Sequence, residues 1–190
     1  MARLFQDEEE FNGIDYASSC LPAGDYEDCR FSGCNLNSCN FSGSNFGSCE
    51  FMDCDLSMAL FSGCTLRDAR FIRCKLVGLN FESLNDILFS VEFKDCQLDL
   101  CSFHRRSLIN TRFANCRLYE VDFTDADLTG AEFHNCDLTG AVFMNSILEK
   151  ADFRTSSNYD FDPEMNRIKK ARFSSDGVLG LLSKYDIIID

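Results

Sequence analysis

Proline and histidine each occur only twice in this 190-residue chain, as Pro22, Pro163, His104 and His134. With so little proline and no low-complexity tract, no linker is expected, and residues 1–190 read as a single domain. Neither histidine has the neighbours of a catalytic triad or the spacing of a metal ligand, no Cys-x-x-Cys pair occurs, and no Gly-rich phosphate loop is present. No catalytic residue, cofactor or metal is therefore expected. Long apolar runs are missing as well: no segment approaches the roughly 20 residues of a membrane-spanning helix. Met1-Ala2-Arg3-Leu4-Phe5-Gln6-Asp7 lacks the apolar core and small-residue cleavage site of a signal peptide, so a cytoplasmic location is expected. Positive charge is in deficit. Eighteen Lys and Arg face 31 Asp and Glu, a net −13 that argues against direct binding of nucleic acid or an anionic membrane and for solubility or a basic partner.

What is present is a beat. A large apolar residue recurs every fifth position: Phe11, Tyr16, Leu21, Tyr26, Phe31, Leu36, Phe41, Phe46, Phe51, Leu56, Phe61, Leu66, Phe71, Leu76 and Phe81. The beat resumes, shifted by two residues, from Leu88 to Phe153. Internal repetition of this kind marks a stacked array whose stability sums over neighbouring units. Period five is neither a helix period nor plain strand alternation. Within a unit, the large residue and the small one two before it share a side, as residues i and i−2 do in extended chain. Each unit is thus a short strand and a turn, with two residues inward and three outward. Of the 12 cysteines, all but Cys20 lie two residues before a beat position, in a slot that Ala59, Ala69, Ala126, Ala131, Ala141 and Ala151 share. Cysteine there is a small core hydrophobe, and a redox or metal store is the weaker alternative.

Charge sets the number of units per turn. The residues before every fourth beat are Glu10, Arg30, Glu50, Arg70, Glu92, Arg112, Glu132, Asp152 and Arg172, alternating in sign at nearly every step. Opposite charges stabilise stacked strands and like charges destabilise them, so alternation at spacing twenty predicts four units per coil, stacked in register. Phe11, Phe31, Phe51, Phe71, Phe93, Phe113, Phe133, Phe153 and Phe173 then form one column, with a Leu-rich column beside it.

The unit Ala126-Asp127-Leu128-Thr129-Gly130 has the pattern of a small residue, Asp or Asn, Leu or Phe, then two polar residues, and through it the chain resembles the pentapeptide-repeat family over residues 11–173. The resemblance implies an all-β, right-handed, quadrilateral parallel β-helix. At about 4.8 Å per coil, roughly eight coils give a rod of about 38 Å. Asn158-Tyr159-x-x-Asp162, Asn166-x-Ile168-Lys169-x-Ala171-x-Phe173, Leu181-Leu182 and Ile187 are similar to the albicidin-resistance type, as is Cys74-Lys75-Leu76-Val77-Gly78-Leu79-Asn80; the microcin-immunity and quinolone-resistance types are looser matches. Those relatives bind DNA gyrase, protect it from poisons, and are viewed as dimeric rods that mimic DNA. The resemblance implies a gyrase or other topoisomerase as protein partner and no enzymatic activity. A structural interaction rod with another protein partner is the competing class.

The expected layout is an N-terminal cap (1–10), regular coils (11–81 and 88–153), a bulge (82–87), an irregular coil (154–173), and a short C-terminal capping helix with a dimerisation segment (174–190). In the bulge coil, Asp86 and Arg106 occupy small-residue slots one coil apart. If both face inward they form a buried ion pair; alternatively the bulge turns Asp86 to solvent. Ser175 or Asp176 can cap a short helix, followed by extended Ile187-Ile188-Ile189. Val178, Leu179, Leu181, Leu182, Tyr185 and Ile187 exceed what one coil end can bury, which suggests a homodimer through this end. Glu120, Asp122, Asp125, Asp127 and Asp137 are the candidate partner-binding acidic patch, against the reading that they are a solvated surface.

Overall fold

The computed structural model describes residues 3–16 and 19–188. Its strands are short: β1 (Leu4–Asp7), β2 (Glu10–Asn12), β3 (Gly24–Glu27), β4 (Arg30–Ser32), β5 (Asn45–Gly47), β6 (Glu50–Met52), β7 (Thr65–Arg67), β8 (Ala69–Ile72), β9 (Val91–Lys94), β10 (Arg112–Ala114) and β11 (Glu132–His134). They form two parallel sheets, ordered β1-β3-β5-β7 and β2-β4-β6-β8-β9-β10-β11. Phe11 pairs with Phe31, Phe31 with Phe51, and Phe51 with Phe71, so one turn takes twenty residues. The two other sides are joined by single bridges, such as Asp15 to Asn35 and Asn40 to Leu60. The seven-stranded ladder spans about six turns, and bridges from Glu132 to Asp152 and Asp152 to Arg172 continue it. The expected N-terminal cap is itself strand, since Leu4 pairs with Gly24.

Two-in, three-out geometry follows from this winding. Every Phe of the main column from Phe31 to Phe153 is buried, and so are Leu36, Leu56, Leu76, Leu98, Leu118 and Leu138. Twenty-residue register stacks the Phe rings at centroid distances such as 4.7 Å for Phe31 on Phe51 and 5.0 Å for Phe113 on Phe133. A second stack, including Phe81, Phe103, Phe123 and Phe143, comes from the opposite side and meets the first edge to face, as Phe103 does Phe113 at 6.0 Å and 84°. Both geometries suit the aromatic quadrupole.

The small slot has its own chemistry. Thiols of Cys34, Cys54, Cys74 and Cys136 donate to the carbonyls of Phe11, Phe31, Phe51 and Phe113, one coil below, at 3.3–3.4 Å. Ser146 and Ser156 make the same bond to Phe123 and Phe133 at 2.8 and 2.7 Å. Alanine simply omits it. Burial pushes the Cys49 and Cys101 thiols up to about 12, which keeps them protonated as core atoms. Turns close with a left-handed residue, often Asp or Asn, as at Asp53 (φ 54°) and Asn135 (φ 51°), the side chains that best tolerate that region.

Both interruptions depart from the expected pattern. Leu88 does not resume the beat: it is 68% exposed with φ 56°, while Leu84 is buried and Phe89 packs against the core. Leu84 enters directly after a one-turn 3-10 segment, Phe81–Ser83, capped by the Asn80 side chain, so the inserted residues loop outward beyond it. In the irregular coil, Tyr159 and Phe161 enter the core in place of Asn158 and Pro163. Two 3-10 turns, Gly177–Leu181 and Ser183–Tyr185, replace the expected helix. Neither Ser175 nor Asp176 caps them; Ser174 Oγ accepts the Gly177 N–H at 3.0 Å. Ile187 and Ile188 follow without regular structure, and Ile189 lies outside the described residues.

Two measurements check this core. Phe113→Ala should lower the unfolding free energy by about 3–5 kcal/mol in denaturant titration. A thiol reagent should label Cys20 rapidly in the native protein and reach the other 11 cysteines, all buried, only on unfolding.

Candidate functional site

Among the described residues no group of His, Cys, Asp or Glu is arranged to hold a metal ion, and no helix is long and apolar enough to cross a membrane. His104 is half-buried and His134 exposed; Nδ1 of the latter lies 3.3 Å from Thr155 Oγ1. The surface has three distinctive regions.

The first is the insertion loop. Arg106 is 3% exposed and enters under it, donating from Nη1 to Asp86 Oδ1 (2.5 Å) and Leu84 O (3.0 Å), and from Nη2 to Asn85 O (3.1 Å). Its guanidinium lies 4.3 Å from the Phe89 ring centroid. Burial lowers the Arg106 pKa, and the Asp86 carboxylate works against that shift. Asp86 itself is not buried, with 90% of its side chain exposed, so the pair is a buried cation reaching out to a surface anion. Two backbone carbonyls do the rest of the neutralising. Held from below in this way, the loop presents Ile87 and Leu88 to solvent. Leu88 lines a shallow groove with Phe5, Tyr26, Phe46 and Gly47. Across the groove Arg67 and Glu27 form an ion pair spanning two coils, and a Cβ at Gly47 would strike both side chains.

The second is the acidic set. Glu120, Asp122, Asp125, Asp127 and Asp137 do not gather on one face; they wind round the rod with the chain. Asp122, Asp127 and Asp137 are half-buried and accept the backbone N–H two residues on, from Thr124, Thr129 and Thr139, at 2.9–3.1 Å. These are turn-closing bonds of the kind Asp makes locally. Asp125 lies 3.6 Å from Arg105, and only it and Glu120 are exposed. One pair had no sequence signal: Asp99, 4% exposed, accepts Arg117 Nε at 2.8 Å and Gln97 Nε2 at 2.8 Å. It occupies an outward position after Leu98, and only the packing above it reveals the burial.

The third is the C-terminal segment. Leu181 is buried in the chain's own core, so it belongs to the cap and not to a free surface. Leu182 is half-buried; Val178, Leu179, Tyr185 and Ile187 are exposed. Ser183 bonds to Asp160, Lys184 to Asp162 (2.7 Å) and Glu164 (2.8 Å), and the Tyr185 hydroxyl to Glu164 (3.2 Å). Beside them Val142, Met144 and Met165 are also exposed, so apolar surface continues onto the side of the rod.

Two outcomes follow. Arg106→Ala should cost about 3–5 kcal/mol and open the loop to proteolysis, whereas Asp86→Asn should cost under about 1 kcal/mol; denaturation and limited digestion read both. Burial pushes the Asp99 carboxyl up, but Arg117 and Gln97 outweigh it, and Thr139 with Asn158, and Arg154, likewise hold Asp137 and Asp152 below the usual carboxylate range. Depressed folded-state values give stability that is present above about pH 4 and lost as pH falls through them. The melting temperature should therefore hold from pH 7 to 5 and fall below about pH 4.

Comparison with known proteins places this geometry. A family model described as a pentapeptide repeat region matches residues 10–85 and 86–159. No curated protein matches by sequence. Among solved structures, a trypsin-treated form of QnrB1, a plasmid-mediated fluoroquinolone resistance protein, superposes with TM-score 0.67 at 17% identity, covering 98% of this chain and 92% of that one. Full-length QnrB1 gives 0.62 at 14% identity over 96% and 100%. HetL, a pentapeptide repeat protein involved in heterocyst differentiation regulation from the cyanobacterium Nostoc sp. strain PCC 7120, gives 0.57 at 15% over 92% and 89%. At these identities the likeness is one of fold.

Proposed function

The chain belongs to the pentapeptide-repeat family, and from that premise we propose that it is a non-enzymatic rod that binds DNA gyrase or a related topoisomerase and protects it from poisons. The observation that carries this reading is the fold likeness to QnrB1 over nearly the whole of both chains. Charge supports it. Duplex DNA carries about one charge per 1.7 Å, or roughly 22 over a rod of this length, and a net −13 is over half of that. The salt-linked column contributes little of the excess: Arg30 lies 3.2 Å from Glu50, and Arg172 3.3 Å from Asp152. Exposed acids such as Glu120 are where a basic surface on the enzyme would dock, and the Arg106-clamped loop supplies the apolar contact that fixes position. The protein acts in the cytoplasm, where its free thiols stay reduced. Val178, Leu179, Tyr185 and Ile187 form the contact between two copies at the C-terminal end.

A second reading is favoured by the likeness to HetL: a structural interaction rod whose partner is a different protein. Assay of purified gyrase separates the two. The expected result is salt-sensitive inhibition, or rescue from a poison, weakened by Ile87→Ser with Leu88→Ser; no effect at micromolar protein would sink the gyrase reading and leave the second.

A further inference from the structure

One outward column alternates in sign from Glu10 to Glu132, and the corner beside it does not. The residues that turn the chain from the β1-β3-β5 side onto the β2-β4-β6 side stand in a single file along the rod, nearly all at left-handed φ. At its N-terminal end the file holds Glu8 over Asp28; at its C-terminal end, Lys150 over Lys170. Ser48, Asp68, Ser90, Asn110 and Gly130 run between. Like charges one strand spacing apart destabilise the rod, yet all four end residues are exposed and none has an ion pair among the described residues.

The two defects are complementary, and their spacing is self-complementary. Reversing the file end for end sets Glu8 opposite Lys170, Asp28 opposite Lys150, Asp68 opposite Asn110, and Ser90 opposite itself. The flanking files agree at their ends: Asp7 falls opposite Lys169, Glu10 opposite Arg172, and Arg30 opposite Asp152. Where like charges would meet, each side chain already has a counter-ion on its own rod: Arg70 would face Arg112 and Glu50 would face Glu132, with Glu50 3.5 Å from Arg70 and Arg112 4.0 Å from both Glu92 and Glu132; Glu27 would face Glu149, paired with Arg67 and with Arg167 (2.7 Å) respectively; and Glu92 would face itself. We propose that this corner is a lateral interface for a second copy of the chain, packed side by side and antiparallel about a two-fold axis at Ser90. Two-fold symmetry makes every pair twice, as an isologous contact requires. Repulsion between two copies of net −13 opposes the approach, but at physiological ionic strength it is screened beyond about 8 Å, whereas the contact pairs are not. The C-terminal segment packs on Asp160, Asp162 and Glu164, across the rod from this corner, so lateral and end-to-end contacts do not compete.

Disulfide trapping at the two-fold tests it without reference to gyrase or to the end-to-end contact. In a Cys20→Ser background, Ser90→Cys should give a covalent dimer under mild oxidation. Adding Lys150→Glu and Lys170→Glu should slow trapping by about tenfold or more, as like charges are brought together. Adding Glu8→Lys and Asp28→Lys to that same chain should restore it. An all-basic chain (Glu8→Lys, Asp28→Lys) mixed with an all-acidic one (Lys150→Glu, Lys170→Glu) should trap only as the mixed dimer. All variants are compared once circular dichroism shows that they keep the same β-rich spectrum. Trapping that is absent, or indifferent to the charge reversals, would overturn the proposal.

Discussion

Parallel backbone hydrogen bonding at a twenty-residue interval is the constraint on which everything else depends. A strand of three or four residues has no stability alone, but each interior one here bonds to the coil below and the coil above. The interval fixes which side chains stack. It lays Phe on Phe, thiol beneath carbonyl, and Arg between two acids, so that a single repeat distance of about 4.8 Å serves aromatic packing, core hydrogen bonds and surface charge together. A rod built this way has a filled interior along its length, and its function must be carried by outward residues and by places where the interval is broken.

How much of this was legible in the sequence can be seen residue by residue. The inward positions from Phe31 to Phe81 follow from period five alone, because winding leaves each beat residue no other place to go. Four units per coil follow from the alternation of Glu10, Arg30, Glu50 and Arg70, because charge reports on stacking even where every apolar column looks alike. At the breaks the rule gave the wrong residues. Spacing alone places Leu88 in the core, but chain entry after Phe81 is set by the Asn80-capped turn, which delivers Leu84 inward first. Tyr159 and Phe161 displace Asn158 and Pro163 because burial favours two aromatic rings over an amide and an imino ring. The acidic set was legible as residues but not as a surface: three of its five members close turns, a role that local sequence hides behind plain abundance.

The surface divides into neutralised and unneutralised charge, and this division matters more than the net value. Most of the regular coils bind their own ions, through stacked pairs and turn-closing carboxylates, and offer little to a partner. What stays available is concentrated at the ends of one corner, at a few exposed acids such as Glu120, and in apolar groups lifted clear of the core by the two interruptions. Through most of their length the regular coils neutralise their own charge, and what a second molecule could contact is left to the ends of that corner and to the irregular parts.

The two-residue insertion has one more consequence. A perfectly periodic rod looks the same after sliding by one coil, so a partner that reads only repeating features can settle in several frames of nearly equal energy. The loop clamped by Arg106 removes that degeneracy: it gives the repeating surface an origin, from which every other coil can be counted.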